Sequence, residues 1–264
     1  MNPTADRIVL GAAATAIVAY LIFPVIVVLA ISFSAGNFLE FPPPGLSLRW
    51  YRAIAGDPEW VSAFMVTLKV GSLTALLATL LGVPAAFALV RYVVPAKALL
   101  SALILCALVT PPIVTAISTY LFFVPLGLNN SIVGLACAHA VSGMPFVVIN
   151  TAASLRSADR NLERAAIIHG AHPLWAIIRI TLPIISPGII IGAILAFVHS
   201  AHELLIAMFV LGGVGKPVTV KIWSDVQATS DPTIAAASAI LIGLAILTLG
   251  SVSTAQAVSR PLNG

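Results

Sequence analysis

Long apolar runs dominate this chain and predict helices that cross a membrane. A run of about 20 apolar residues spans a hydrocarbon core about 30 Å thick, because a helix rises about 1.5 Å per residue. Barrel strands need only about 9–11 residues each and alternate in character, so the run lengths favour helices. We therefore expect an all-α integral membrane protein with six transmembrane helices, at approximately residues 8–33, 63–90, 98–123, 131–150, 184–211 and 233–258. We expect one membrane domain over residues 1–264.

The composition agrees with this pattern. Hydrophobic residues make up 60% of the chain and charged residues only 8%, with a mean hydropathy of +1.09. A soluble domain carries about 25% charged residues, so the composition excludes that class. Cys106 and Cys137 both fall inside predicted spans, which favours small core residues over a disulfide framework or a metal site.

The basic residues predict the orientation of the chain. With the N-terminus in the cytosol, the inner side receives Arg7, Arg91, Lys97, Arg156, Arg160, Arg164, Arg179 and Arg260. The outer side receives Arg49, Arg52, Lys69, Lys216 and Lys221. Because short cytoplasmic loops carry the excess of Lys and Arg, both termini are expected in the cytoplasm. The basic residues are scattered along loop ends, which argues against a nucleic-acid surface.

A polar segment at residues 155–183 interrupts the apolar pattern. Its sequence predicts a short helix capped by Asp159, because a carboxylate can accept from the free N–H groups at a helix start. Gly170 can end this helix with a positive φ, and Pro173 suits the first turn of a second helix. Pro183 is expected to break or bend the chain before the fifth span. The prediction is a helix, a glycine turn and a helix at the membrane surface.

This segment resembles the cytosolic loop of binding-protein-dependent ABC importer permeases. Their pattern is E-A-A, three residues, G, nine residues and I-x-L-P, matched here by Ala165, Ala166, Gly170, Ile180, Leu182 and Pro183. Arg164 stands in place of the usual Glu, and Glu163 lies one residue early. Further stretches resemble the spermidine/putrescine permease branch, including PPIV at 111–114, AHAVSGMPFVV at 138–148 and FVHSAHELLIAMFVLG at 197–212.

The resemblance implies the type I importer fold and half of a membrane channel in the bacterial inner membrane. It implies a sister permease, two copies of a cytosolic ATPase subunit and an extracytoplasmic solute-binding protein as partners, with membrane lipid around the helices. ATP and Mg would bind to the ATPase, so no cofactor is expected in this chain. By the same resemblance, the helix that couples to the ATPase would include Glu163, Arg164, Ala165, Ala166, Gly170 and Ala171.

Glu203 is the acidic residue inside a predicted span. An intramembrane carboxylate costs at least about 2.5–3.5 kcal/mol at mid-depth and usually faces a partner or a watered cavity. We hypothesise that Glu203 faces the solute pathway and pairs with a substrate ammonium; the alternative is an interfacial carboxylate that is solvated or paired with Lys69. His199 and His202 share its helical face and are expected to line the same pathway.

These three side chains could also bind a metal, but polar lining is the favoured interpretation, and no metal site is predicted. Trp223 and Asp225, in the expected outer loop 212–232, are added to the pathway residues. His139 has no acidic partner nearby in sequence, so interhelical hydrogen bonding is its expected role.

Rival functions find little support in the sequence. The segment 212–216 reads GGVGK and hints at a phosphate loop, but Val210 and Pro217 occupy positions where that motif needs Gly and Ser or Thr. No serine–histidine or HExxH constellation supports an enzyme. A self-contained secondary transporter fits poorly, because no internal repeat is evident. Polyamines are the expected solute, with opines, amino-acid-like amines and aminophosphonates as alternatives.

Overall fold

A computed structural model describes residues 3–212, 215–228 and 231–259, and these residues are helical apart from turns and one isolated antiparallel bridge between Ser34 and Leu46. The predicted all-α class is therefore confirmed. Arg260 and residues 213, 214, 229 and 230 of the expected outer loop lie outside the described residues. The helices are α1 Pro3–Ser32, α2 Arg49–Gly56, α3 Pro58–Arg91, α4 Lys97–Val109, α5 Pro112–Phe123, α6 Ile132–Ser157, α7 Arg160–Ile168, α8 Pro173–Ala176, α9 Leu182–His202, α10 Leu205–Leu211, α11 Val218–Ala228 and α12 Thr233–Ser259.

Helices long and apolar enough to cross a membrane number four in the described residues. They are Leu10–Ser32, Pro58–Arg91, Ile132–Ser157 and Pro173–His202. The count becomes five if α4 and α5 form one broken span. The segment Thr233–Thr248 of α12 is apolar but shorter. The structure thus supports a multi-pass membrane protein, while the count of six remains a prediction.

The third predicted span is two helices with a sharp bend between them. Helices α4 and α5 meet at an angle of 107°. Pro111 and Pro112 stand at the break, where their missing N–H groups cannot continue the helical ladder. Thr110 adopts an extended backbone, and its Oγ1 donates to the Cys106 carbonyl at 2.8 Å. The predicted third span, 98–123, is therefore a broken pair of helices, with the break at the two prolines.

The helix observed in place of the fifth predicted span, 184–211, begins and ends at different residues from those predicted. A π-helical turn, Ile177–Thr181, joins α8 to α9, so the helical backbone continues through Pro183; of the predicted break or bend, a break is absent. The wider π turn directly precedes this proline, which lies in the first turn of α9. At the other end, α9 stops at His202 because Glu203 takes an extended conformation, with ψ of 120°. The chain resumes as α10 at Leu205.

The described chain divides into two compact units, Met1–Val61 with Lys221–Gly243, and Ser62–Val220 with Leu244–Gly264. In the larger unit, α6 packs along α9 through small residues. A Cβ atom added at Gly192 would lie 2.6 Å from the Val147 Cα, and one at Gly188 would lie 2.7 Å from the Asn150 carbonyl oxygen. Glycine therefore permits the close approach of two helix backbones, a common solution in membranes.

In the smaller unit, the chain after α1 folds back on itself. The Ser47 N–H donates to the Phe33 carbonyl at 2.6 Å, and the Ala35 N–H donates to the Gly45 carbonyl at 2.9 Å. Ser32 Oγ and Tyr51 OH lie 2.7 Å apart. These bonds fix α2 against the end of α1, which positions the beginning of α3 within the same unit.

Candidate functional site

The predicted helix, glycine turn and helix are present in the polar segment. Asp159 caps α7, its Oδ1 accepting from the Asn161 N–H at 2.8 Å. Gly170 has φ of +92°, a conformation in which glycine avoids the strain that other residues carry. The Ala171 N–H donates to the Ala166 carbonyl at 3.0 Å and so closes the helix end. The local sequence thus fixes the shape of the turn.

Helix α7 is tied to the membrane helix through Glu163. Its Oε2 accepts a hydrogen bond from Thr181 Oγ1 at 3.0 Å. Thr181 is buried at the end of the π turn, so the bond links α7 directly to the start of α9. Arg164 and Ala165 are exposed, whereas Ala166 and Ala171 are half-buried.

The exposed surface of α7 carries apolar as well as basic side chains. No residue of α7 is buried. Leu162 is 50% exposed and Ile168 is 83% exposed. Both aliphatic side chains are therefore accessible on the surface of α7.

Glu203 forms the junction between α9 and α10. Its Oε2 accepts from the Ile206 N–H at 2.7 Å and from the Ala207 N–H at 3.3 Å. The carboxylate thereby satisfies N–H groups that the start of α10 leaves free. Its side chain is 9% exposed. Lys69, the alternative partner, makes no ion pair with it among the residues the structure describes.

His139 is the partner of Glu203 that the sequence does not reveal. Its Nε2 lies 3.5 Å from Glu203 Oε2, and its side chain is 1% exposed. The other ring nitrogen, Nδ1, lies 2.8 Å from Ser200 Oγ, which in turn donates to Thr74 Oγ1 at 3.3 Å. The expected interhelical role of His139 is present in its contact with Ser200, and it extends to an acidic partner at the junction between α9 and α10.

A cleft of about 510 Å³ opens beside this network. Its polar lining comes from His199, His202 and Glu203, and its remaining walls are Pro112, Phe146, Leu195, Val198, Leu204 and Leu205. His199 Nε2 lies 3.0 Å from Ser142 Oγ, which orients the ring. The structure therefore brings three of the five predicted pathway residues to one cleft. Within the described residues, no group of three His, Cys, Asp or Glu side chains is arranged to hold a metal ion.

Trp223 and Asp225 lie on the part of α11 that belongs to the smaller unit. Asp225 Oδ1 and Glu59 Oε2 each lie 3.1 Å from Lys221 Nζ, which also stands 5.2 Å from the centre of the Trp60 ring. Burial lowers the pKa of Lys221, but its hydrogen bonds to Asp225 and Glu59 outweigh burial and raise that pKa above its usual value. Trp223 is exposed.

These side chains surround a second cavity of about 250 Å³. Its lining residues are Ala53, Asp57, Trp60, Lys221, Asp225, Asp231 and Thr233. Asp57 and Asp231 accept backbone hydrogen bonds from Glu59 and Thr233, at 2.8 and 2.9 Å. Most of the acidic groups here are therefore engaged in local structure.

Comparison with known proteins gives a consistent result. The family model described as "Binding-protein-dependent transport system inner membrane component" matches residues 78–259. The spermidine/putrescine transport system permease protein PotC of Escherichia coli K12 is 30% identical over 254 residues, covering 96% of this chain and 95% of PotC. The putrescine transport system permease protein PotI of the same strain is 31% identical over 231 residues, covering 85% of this chain and 82% of PotI.

Among solved structures, a bacterial ABC transporter involved in the import of the acidic polysaccharide alginate superposes with a TM-score of 0.70. The match covers 99% of each chain at 17% sequence identity, which establishes a shared fold. The relatives in sequence are permease subunits, which are transport components and not enzymes. The chain belongs to the family of inner membrane components of binding-protein-dependent transport systems.

Proposed function

We propose that this chain forms half of the translocation pathway of an ABC importer for a polyamine or a related amine. The observation that carries the proposal is the identity of 30% to a spermidine/putrescine permease over 96% of the chain. An extracytoplasmic binding protein delivers the solute, and a sister permease completes the pathway. Two copies of a cytosolic ATPase bind ATP and Mg and supply the energy.

In this proposal α7 is the coupling helix. Its exposed Leu162 and Ile168 enter a groove of the ATPase, and Arg164 lies on the accessible surface. The hydrogen bond from Thr181 to Glu163 transmits the movement of the groove to α9. Transmission of this movement requires a rigid connection between α7 and α9, which the hydrogen-bonded turn at Gly170 provides.

The cleft at the end of α9 is the proposed solute contact. Glu203 contributes a negative charge, held in place by the N–H groups of α10 and by His139. His199 and His202 contribute hydrogen-bonding groups on an otherwise apolar wall. Trp223 and Asp225 contact the solute at another stage of its passage. An ammonium group would therefore meet one oriented carboxylate with aliphatic surface beside it, which suits the alternating charges and methylenes of a polyamine.

The proposed arrangement in the membrane has six spans and both termini in the cytoplasm. The excess of Lys and Arg at the expected inner ends supports this orientation. It places α7 on the same side as the ATPase. Residues 1–264 then act as one permease domain.

A second candidate solute is a monoamine or zwitterion such as an opine, an amino-acid-like amine or an aminophosphonate. The observation that favours it is the engagement of Glu203, whose carboxylate already accepts two backbone hydrogen bonds. The cleft offers one carboxylate, which matches a solute with a single ammonium group as well as it matches one end of a polyamine. A self-contained secondary transporter is the alternative of another class.

Calorimetry of the partner binding protein tests the solute directly. Putrescine or spermidine should bind in the micromolar range or tighter, and binding of an opine or aminophosphonate alone would overturn the polyamine assignment. The contact with Glu203 is tested by uptake in vesicles that contain the whole importer. Glu203→Gln should raise the KM for solute, whereas Glu40→Gln, at an exposed carboxylate, should not. Full uptake by Glu203→Gln at subsaturating solute would remove the proposed contact.

A further inference from the structure

A pocket at one end of the membrane helices combines basic and apolar groups. It measures about 220 Å³, and its polar lining consists of Lys97, Ser101 and Arg156. The other lining residues are Leu89, Ile104, Leu105, Val148, Ile149 and Ala152. All belong to the larger compact unit, and none plays a part in the proposed coupling or solute contact.

The two cations of this pocket have no counter-charge. In the part of the chain that the structure describes, the side chain of neither Lys97 nor Arg156 makes an ion pair or a hydrogen bond. The lining contains no Asp or Glu among the described residues. Lys97 is also the first residue of α4, a helix with no side-chain cap and no acidic residue in its first turn. The free N–H groups of that turn add to the positive potential.

The position of the pocket is set by the ends of three helices. Arg156 lies in the last turn of α6, Leu89 stands near the end of α3, and Lys97 is the first residue of α4. Because α3 and α6 are long and apolar enough to cross the bilayer, we place these ends near the lipid headgroups. This depth holds whichever side of the membrane is cytosolic.

The apolar walls lie on the surface of the unit. Leu105 is 41% exposed and Ile149 is 46% exposed, and both face the same pocket as the two cations. An occupant must therefore offer a negative headgroup next to a hydrocarbon chain. A phospholipid has both, since its phosphate accepts from Arg, Lys and Ser while its acyl chain packs on leucine and isoleucine.

We propose that this pocket is a binding site for one anionic phospholipid. Lys97, Arg156 and Ser101 hold the phosphate, and the first turn of α4 donates to it. One acyl chain runs along Leu105 and Ile149. The bound lipid joins α4 to α6, and so holds the first half of the sharply bent α4–α5 pair in place.

Native mass spectrometry of the whole importer tests this site. The complex is placed in nanodiscs of phosphatidylcholine with a minority of phosphatidylglycerol, and the lipid that stays bound on release is identified. Wild type should retain phosphatidylglycerol. The double variant Lys97→Gln, Arg156→Gln should weaken its retention about thirtyfold, since each basic residue near an anionic surface contributes about a fivefold effect.

Matched variants separate the site from general charge effects. Arg7→Gln with Lys216→Gln removes the same charge at exposed positions elsewhere and should retain the lipid as wild type does. Lys97→Arg should also retain it. Equal retention by the pocket variant and wild type would overturn the proposal, as would loss of the lipid to added inorganic phosphate, which would indicate a site for a free anion.

Photo-cross-linking gives a second test of the site. A photoactivatable phosphatidylglycerol should cross-link to residues of this pocket in the assembled importer. Cross-linking of a partner subunit in its place would show that protein covers the pocket. The melting temperature of each variant complex, compared with the control variant, shows that any loss of lipid occurs in a folded protein.

Discussion

The close crossing of α6 and α9 allows a sharp prediction about Gly192. In Gly192→Ala the new methyl group would lie 2.6 Å from the Val147 Cα, whereas carbon atoms pack at about 3.5–4.0 Å. The helices must therefore separate by about 1 Å, which costs about 1–3 kcal/mol of overpacking. Alanine returns about 1 kcal/mol of helix propensity. We expect a net loss of up to about 2 kcal/mol in the free energy of unfolding, and a difference of about 1–3 kcal/mol from a glycine-to-alanine change that meets no neighbour.

Thermal unfolding of the purified importer, followed by fluorescence-detected size exclusion, measures this loss. The melting temperature of Gly192→Ala should fall by up to about 8 °C, since 1 kcal/mol shifts it by about 2–4 °C in a chain of this size. Gly243→Ala is the matched control, because nothing lies within 4 Å of its new methyl group. It should melt at or above the wild-type temperature. Equal melting of Gly192→Ala and Gly243→Ala would refute the close crossing.

Two double variants test whether a backbone or a side-chain contact limits how closely the helices pack at each glycine. A methyl group at Gly71 would meet the ring of Phe197 at 2.8 Å, and a ring can be trimmed or can move. Phe197→Leu should therefore recover part of the stability lost in Gly71→Ala. Val147→Ala should not rescue Gly192→Ala, because the clash there is with the backbone.

Three further predictions concern the turn, the ion pair and the buried network. Gly170→Ala forces a residue with φ of +92° at a cost of about 1–2 kcal/mol, and should lower solute uptake per ATP hydrolysed, whereas Gly127→Ala at φ of +64° should leave that ratio unchanged. The pKa of Lys221 is raised in the folded state, so its ion pairs stabilise the protein below its ordinary pKa near 10.4, and this stabilisation is lost as the pH rises through the folded-state pKa. The melting temperature of Lys221→Met should therefore not show this decrease at alkaline pH. His139→Phe removes a partner of the buried Glu203 and should cost about 1–3 kcal/mol in melting experiments, a loss that should shrink when Glu203→Leu is added.

Much of the helical framework could be predicted from local sequence. The apolar runs indicate the helices near α1, α3 and α6, because length and apolar composition are local properties of the sequence. The helix, turn and helix around Gly170 was equally predictable, since a capping carboxylate, a glycine and a proline act within a few residues of each other.

The polar contacts of the membrane helices could not be predicted in this way. Glu203 was recognised as an unusual charge, but the end of α9 at this residue depends on the cap that its carboxylate gives to α10. His139 lies on another helix, and only the packing of α6 against α9 brings it to 3.5 Å from that carboxylate. The prolines at 111 and 112 indicated a break, but a sequence does not give an angle of 107°.

The central claim is that a separate ATPase drives this chain through α7. The most direct measurement is uptake of radiolabelled putrescine into vesicles that contain the two permeases. The binding protein is supplied outside the vesicles and ATP inside them. Uptake should require the ATPase subunit and should stop when only an ion gradient is supplied. Uptake by the permeases without any ATPase, driven by such a gradient, would contradict the account.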